Sequence, residues 1–287
     1  DIPQAAIYGK SFSEGHVLNN TWENGNYGLL LEEHYGTSGQ LIISHNTSSS
    51  NLYNGIKIVA PDTMGLTITS NIFWTDGRQY TSESAAIIIN NTSTEVRNTL
   101  IATNTFQTCY RDIMLIGASD VATSTGITNT QISSNSFDRT KEESVYINGP
   151  SQTLISNNKF NQVGIQSALG ANAIELTGTT SDTVINGNVI YSKSSYENLF
   201  GLYLGVNTTN TLLGLNEFNG RDGDVKITTG ATYSLMPQGV SAGDATVFVT
   251  SFSNSWVNVG TGYGDAGYYK TADGVVHLEG NIASGTS

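Results

Sequence analysis

Apolar residues recur along this 287-residue chain in a fixed relation to asparagine. An aliphatic residue, two others, an asparagine, one more residue and then usually an aromatic form a unit. It reads Val17-Asn20-Trp22, Ile43-Asn46-Ser48, Ile68-Asn71-Phe73, Ile101-Asn104-Phe106, Ile132-Asn135-Phe137, Ile155-Asn158-Phe160, Ile185-Asn188-Ile190 and Leu213-Asn216-Phe218. The gaps between these asparagines are 26, 25, 33, 31, 23, 30 and 28 residues, so loops of different length hang on a constant frame. A short alternating unit follows each asparagine: Leu29/Leu31, Ile56/Ile58, Ile87/Ile89, Ile113/Leu115, Val145/Ile147, Ile174/Leu176, Leu202/Leu204 and Val225/Ile227. A period of two sends one side chain inward and the next outward. Between these pairs stand Leu30, Lys57, Ile88, Met114, Tyr146, Glu175, Tyr203 and Lys226, the mixed set expected of an outer face. No helical period is visible, and proline occurs only four times.

Repeats of this period point to a stacked architecture. Each coil then consists of a strand before the asparagine, a sharp turn at it, a strand after it, a variable loop and a third strand. Asparagine tolerates the left-handed backbone of a tight corner. Its amide both donates and accepts, and coils stacked about 4.8 Å apart let successive amides bond along the axis. The expected fold is all-β: a right-handed single-stranded parallel β-helix of about eight coils with an asparagine ladder, spanning residues 1–235. Solenoid ends need caps, and Asp1–Glu14 supplies no polar amphipathic helix, so the helix is expected to be the C-terminal part of a longer one. Residues 236–287 read as a connector and a small β-rich module. Met236–Ser255 carries an apolar strand at Val247–Val249. Gly267–Thr271 and Val275–Gly280 flank Asp273-Gly274, a good hairpin signal.

Only 13% of residues are charged, and the formal net charge is −12. A field of that sign disfavours nucleic acid phosphates and suits a neutral or weakly charged polymer such as a polysaccharide. No apolar run approaches the roughly 20 residues of a membrane span, so no membrane insertion is expected. No signal peptide is visible, and residue 1 is Asp rather than Met, which reads as a trimmed chain. The single cysteine, Cys109, excludes an intrachain disulfide and reads as a small buried hydrophobe. His16, His34, His45 and His277 share no metal-ligand spacing, so no metal is expected, and no cofactor either.

The repeat with its asparagine corner resembles the pectate-lyase-like β-helix superfamily over roughly residues 15–230. The resemblance implies the fold strongly and an activity weakly, because that fold hosts lyases, hydrolases, esterases, epimerases and pure binders. The later run Trp256-Val257-Asn258, Gly267-Tyr268-Tyr269-Lys270 and Gly274-Val275-Val276-His277-Leu278-Glu279-Gly280 looks like a module of tail and appendage proteins. The whole is similar to tailspikes and pre-neck appendages of phages that infect Gram-positive bacteria. This implies a homotrimer in the virion that binds, and often degrades, a surface polysaccharide or teichoic acid of the host. Some such proteins lose a C-terminal folding chaperone by self-cleavage, and an end at Ser287 would suit such a boundary or an arbitrary one. The Asn-Thr-Asp, Asp-Asp and Gly-His-Gly set of polygalacturonases is missing, as is the calcium-holding Asp cluster of pectate lyases. Pectin chemistry by those routes is not expected. A secreted monomeric carbohydrate-active enzyme and a structural spike without ligand remain the alternatives.

In the superfamily, substrate lies along the third-strand face, walled by the preceding loop. Here those loops hold Asp76, Arg78, Tyr80 and Glu83; Tyr110, Arg111 and Asp112; Asp138, Arg139, Lys141, Glu142 and Glu143; Lys193, Tyr196 and Glu197; Arg221, Asp222 and Asp224. Four of the five arginines fall in them. The bland alternatives are a trimer interface or solvated loops. Glycosidic cleavage uses two carboxylates. Aligning the third strands sets Asp112 against Ser144 and Arg111 beside Glu143, with Glu83, Glu142 and Glu175 on neighbouring coils. Carboxylates one coil apart would be separated by about 5 Å, and two coils apart by about 10 Å. The reactive candidates are Glu143 and Asp112, with Glu175 in reserve, and Arg111, Arg139, Tyr146 and Tyr203 would hold substrate. Arg111 and Glu143 equally read as a cross-coil ion pair worth under about 1 kcal/mol. Tyr146, Glu175 and Tyr203, in one outward slot, equally read as a ladder that stiffens the sheet.

Overall fold

A computed structural model describes residues 4–10, 14–32, 39–59, 65–91, 95–117, 126–165, 171–191 and 199–235, and beyond them 247–248, 256–258, 267–270, 276–279 and 282–284. Among the described residues there is no helix. Three parallel sheets stack along one axis. Sheet B holds the strands before the asparagines, from Gly15–Leu18 through Gly126–Ser133 to Tyr233–Leu235. Sheet C holds the three-residue strands after them, from Thr21–Glu23 through Ser136–Asp138 to Val189–Tyr191. Sheet A holds the third strands, from Tyr27–Glu32 through Ile113–Gly117 to Gly223–Ile227. It also holds Ala5–Lys10, paired with Tyr27–Glu32, an element the sequence reading left unassigned. Sheets A and B have nine strands each and sheet C seven. In the eighth coil sheet C shrinks to a single bridge, Val189 to Glu217. The chain is therefore a parallel β-helix, as its repeat implied.

The asparagine ladder is continuous from Asn20 to Asn216. Each Nδ2 donates to the Oδ1 of the next asparagine at 2.9–3.1 Å, through Asn46, Asn71, Asn104, Asn135, Asn158 and Asn188. Each backbone N–H donates to the same Oδ1 at 2.9–3.1 Å. From Asn46 onward, each Nδ2 also donates to the carbonyl oxygen of the aliphatic residue one coil back, as Asn135 does to Ile101 at 2.9 Å. One expectation is corrected. The left-handed residue of the corner is not the asparagine but the one before it: Asn19, His45, Ser70, Thr103, Ser134, Asn157 and Gly187. Dividing the work in this way leaves the ladder amide on an ordinary backbone, where it can face both neighbours.

The core is the stack of inward residues the repeat marked. The aliphatics three before the asparagine are buried from Ile43 to Leu213, and Phe73, Phe106, Phe137 and Phe160 are 0% exposed. Their rings stack in sequence, with centroids 4.9, 5.0 and 4.6 Å apart. In the first coil Trp22 takes that place, and Gly28 makes room: a Cβ there would lie 1.9 Å from the indole nitrogen. Beyond the helix, Val247–Phe248, Gly267–Lys270 and Val276–Glu279 form one antiparallel sheet, and Trp256–Asn258 pairs with Ile282–Ser284. The turn expected at Asp273-Gly274 lies outside the described residues, as does Val249.

Candidate functional site

The outward slot of sheet A reads Tyr8, Leu30, Lys57, Ile88, Met114, Tyr146, Glu175, Tyr203 and Lys226 in register. Its middle is apolar and covered: Ile88 is 0% and Met114 3% exposed. Tyr146, Glu175 and Tyr203 stand consecutively and half-buried, in the arrangement expected of them. The Asn172 amide donates to Glu175 Oε2 at 2.8 Å. Burial holds the Glu175 carboxyl above the ordinary range, against the lowering effect of Asn172 and with Glu143 adding to the rise. Burial, then Glu175, likewise raises Tyr146.

The loops before sheet A wall this slot. Arg111 Nε donates to Glu143 Oε2 at 2.6 Å across one coil, and its Nη2 lies 4.0 Å from Glu142. Its other terminal nitrogen donates to the carbonyl oxygens of Thr81 and Ser82 at 3.4 and 3.3 Å, tying three coils together. The guanidinium also lies 4.9 Å from the centre of the Tyr110 ring. Burial, and next the charge of Glu143, raises Glu142. Tyr110 meets Tyr80 edge to face at 5.1 Å, and Lys141 Nζ donates to the Tyr80 hydroxyl at 2.9 Å.

Of the residues singled out from sequence, Arg111, Glu143, Tyr146, Glu175 and Tyr203 fall on one strip. Asp112 does not. It is 0% exposed, and Thr140 of the next coil donates to its Oδ2 at 2.5 Å. Burial pushes its carboxyl up to about 8. The period-two alternation would have turned it outward, but it precedes the strand, where the chain is still bending. Asp76, grouped with the loop charges, is also inside, and burial raises it to about 6. Arg139 is exposed at a left-handed corner, and among the described residues no bond links it to the Arg111–Glu143 pair. Cys109 is buried, and burial pushes its thiol up. Lys193, Tyr196 and Glu197 lie outside the described residues.

Sequence reasoning missed the N-terminal extension of the strip. Tyr27 and Tyr53 stack at 5.5 Å, and Lys57 lies 5.8 Å from the Tyr27 ring centre and 2.8 Å from Glu83. A usable signal was present: Tyr53 and Tyr110 each stand three residues before the first inward residue of a sheet A strand. Asn172 was missed because nothing in the repeat marks it.

No protein-family model matches the chain, and no curated protein matches it. The fold is compatible with carbohydrate-binding and polysaccharide-acting proteins.

Proposed function

We propose that this chain is a phage-type receptor-binding protein, a homotrimeric tailspike or appendage of the virion, whose sheet A strip takes a bacterial surface polysaccharide. The supporting observation is the alignment of tyrosines, carboxylates and one guanidinium on a single strip, in a chain with 13% charged residues. Aromatic faces beside a few placed polar groups suit a small number of sugar units. A polyanion such as teichoic acid fits less well. Arg111 is already matched by Glu143 and Glu142, while Glu175 has an amide rather than a cation for its partner. Purified cell-wall polysaccharides and teichoic acid from candidate hosts, assayed side by side, test this. Capture of the polysaccharide is expected, weakened about tenfold in Tyr203→Ala. Capture of teichoic acid alone, or of neither, overturns the proposal; the last outcome is that of a purely structural spike. A monomer at high concentration counts against the trimer.

A second reading, a secreted monomeric polysaccharide hydrolase, draws on the carboxylates. Glu143 and Glu175 sit on successive coils, and burial raises the Glu175 carboxyl, the direction that suits the acid of a glycosidic pair. Mass spectrometry of the incubated glycan decides it: shortened products that disappear in Glu143→Gln and Glu175→Gln support cleavage, and binding without shortening makes the protein an adhesin.

A further inference from the structure

The outer face of sheet C carries a pattern that the sheet A strip does not use. The last residues of its strands stack in register as Glu23, Ser49, Trp74, Gln107, Asp138, Asn161 and Tyr191. The middle residue of each strand is the buried one, so this column faces outward. Trp74 is 55% exposed and Tyr191 40%, with Gln107, Asp138 and Asn161 half-buried between them. Asn161 Nδ2 donates to Asp138 Oδ1 at 2.6 Å, which fixes the two polar heads relative to each other. Ile72, on the same face of the Trp74 strand, is 49% exposed.

An exposed indole gives up most of the stabilisation its burial would provide. Its place here is better explained by what it meets from outside. The column offers an aromatic ring, an amide, a carboxylate, an amide and an aromatic ring, one per coil. At about 4.8 Å per coil, Trp74 and Tyr191 stand roughly 19 Å apart along the axis. An extended glycan presents the matching sequence of C–H faces and hydroxyls, with a rise per sugar close to the rise per coil. A second protein fits less well, because protein interfaces concentrate apolar groups and deplete charge at their centre. Here the centre is Gln107, Asp138 and Asn161, and the aromatics are at the ends.

We propose that this column is a second carbohydrate-binding strip, separate from the sheet A site. It takes an extended, uncharged oligosaccharide, with Trp74 and Tyr191 stacking on sugar faces and Gln107, Asp138 and Asn161 bonding the hydroxyls between them. The full chain is applied to an array of defined neutral oligosaccharides of graded length, with tryptophan emission followed in solution for those that bind. Binding is expected for chains long enough to reach from Trp74 to Tyr191. Trp74→Ala and Tyr191→Ala should each weaken it about tenfold, and the emission change should vanish in the former. The thermal midpoint should hold in both variants, since both side chains are exposed. The emission change, which reports on Trp74, should persist in Tyr203→Ala, on sheet A. Loss in Tyr203→Ala with retention in Trp74→Ala keeps the sheet A reading and overturns this one. An array on which no neutral glycan binds overturns this proposal too. A solution mass that drops in Trp74→Ala overturns it as well, because the column is then a contact between copies of the chain.

Discussion

The two corners that flank sheet C bound the same three-residue strands and begin from the same backbone device, yet they have opposite characters. Between sheets B and C the connection is two residues in each of the seven complete coils, a left-handed residue and then a ladder asparagine in every case from Asn19-Asn20 to Gly187-Asn188. Between sheets C and A a left-handed residue again opens the turn, at Asn24, Ser50, Thr75, Thr108, Arg139 and Gln162. The next position is then Gly25, Asn51, Asp76, Cys109, Thr140 or Val163, and the connection ranges from three residues (24–26) to twelve (162–173). Asn51 copies the ladder for one step: its backbone N–H and its Nδ2 both donate to Asp76 Oδ1, at 3.0 and 2.9 Å. No asparagine continues it. A corner closed by repeated amide bonds has no slack for insertion. The corner freed from that repeat is where loops, ion pairs and buried acids accumulate, and it faces the candidate site.

The largest expected effect breaks the first corner. Asn135→Ala removes an Oδ1 that accepts from Asn104 N and Nδ2, and an Nδ2 that donates to Ile101 O and Asn158 Oδ1. At about 1–3 kcal/mol for each buried group left without a partner, the loss should be on the order of 5 kcal/mol. Thr140→Ala, at the matching position of the second corner, deprives two buried groups, Asp112 Oδ2 and Ser144 Oγ, of a partner rather than four, and should cost about half as much. Chemical denaturation of the two variants decides whether the corners differ as described; equal losses would erase the distinction.

Next comes the pH dependence that the second corner introduces. Asp112 titrates near 8 in the folded chain and Asp76 near 6, each against an ordinary 3.8. A raised carboxyl pKa means that the folded state holds a proton the unfolded state releases. Stability is therefore highest below about pH 4 for these groups, falls as pH rises, and levels off past about 6 for Asp76 and 8 for Asp112. Asp112→Asn, which keeps the shape and removes the charge, should raise stability at neutral pH by on the order of 3 kcal/mol and flatten the slope between pH 6 and 8. A thermal-melt series across that range is the check, and a wild-type curve that rises with pH there contradicts the assignment.

A smaller effect belongs to the stack between the corners. Phe106→Leu keeps an apolar side chain but removes a ring that faces Phe73 and Phe137 at 4.9 and 5.0 Å. A loss of about 1–2 kcal/mol is expected, and the same change at Phe160, which among the described residues stacks on Phe137 alone, should cost less.

These magnitudes track how much of the molecule could be read from sequence. The ladder was legible because each asparagine has an aliphatic three residues before it and an inward position two residues after it in every coil. Only its geometry was misassigned: the residue before it turns left-handed, and Asn, His, Ser, Thr and Gly all do so there, leaving no signature. Ala5–Lys10 was passed over because it is a lone sheet A strand without the asparagine unit before it. At the site, the outward slot Tyr146, Glu175 and Tyr203 followed from alternation alone, and Arg111 beside Glu143 from counting back along aligned strands. Asp112 did not follow, because alternation holds only once the pleat is established, and Ser84, Asp112 and Ser144 are all buried just before it begins.

The smallest expected effect on stability tests whether the second corner serves chemistry or merely closes the coil. Arg111 and Glu143 are largely but not wholly buried, with side chains 16% and 12% exposed. Breaking a fully buried pair can cost about 3–5 kcal/mol, but Glu142 stays 4.0 Å from Arg111 Nη2 to match its charge, so the loss here should be about 0–1 kcal/mol. Glu143→Gln retains a carbonyl oxygen to accept from Arg111 Nε, so its cost should be at the low end of that range. Its consequence for glycan should be disproportionate, because it removes a charge from the strip, and with it part of what raises Glu175, while leaving the ladder behind the strip in place. Measured together, an unchanged denaturation midpoint and a loss of glycan binding or cleavage would assign the pair to the site. If instead Glu143→Gln destabilised the chain as severely as Asn135→Ala while leaving glycan handling unaltered, the cross-coil bridge would be a structural clamp. The variable corner would then hold the frame just as the asparagine corner does.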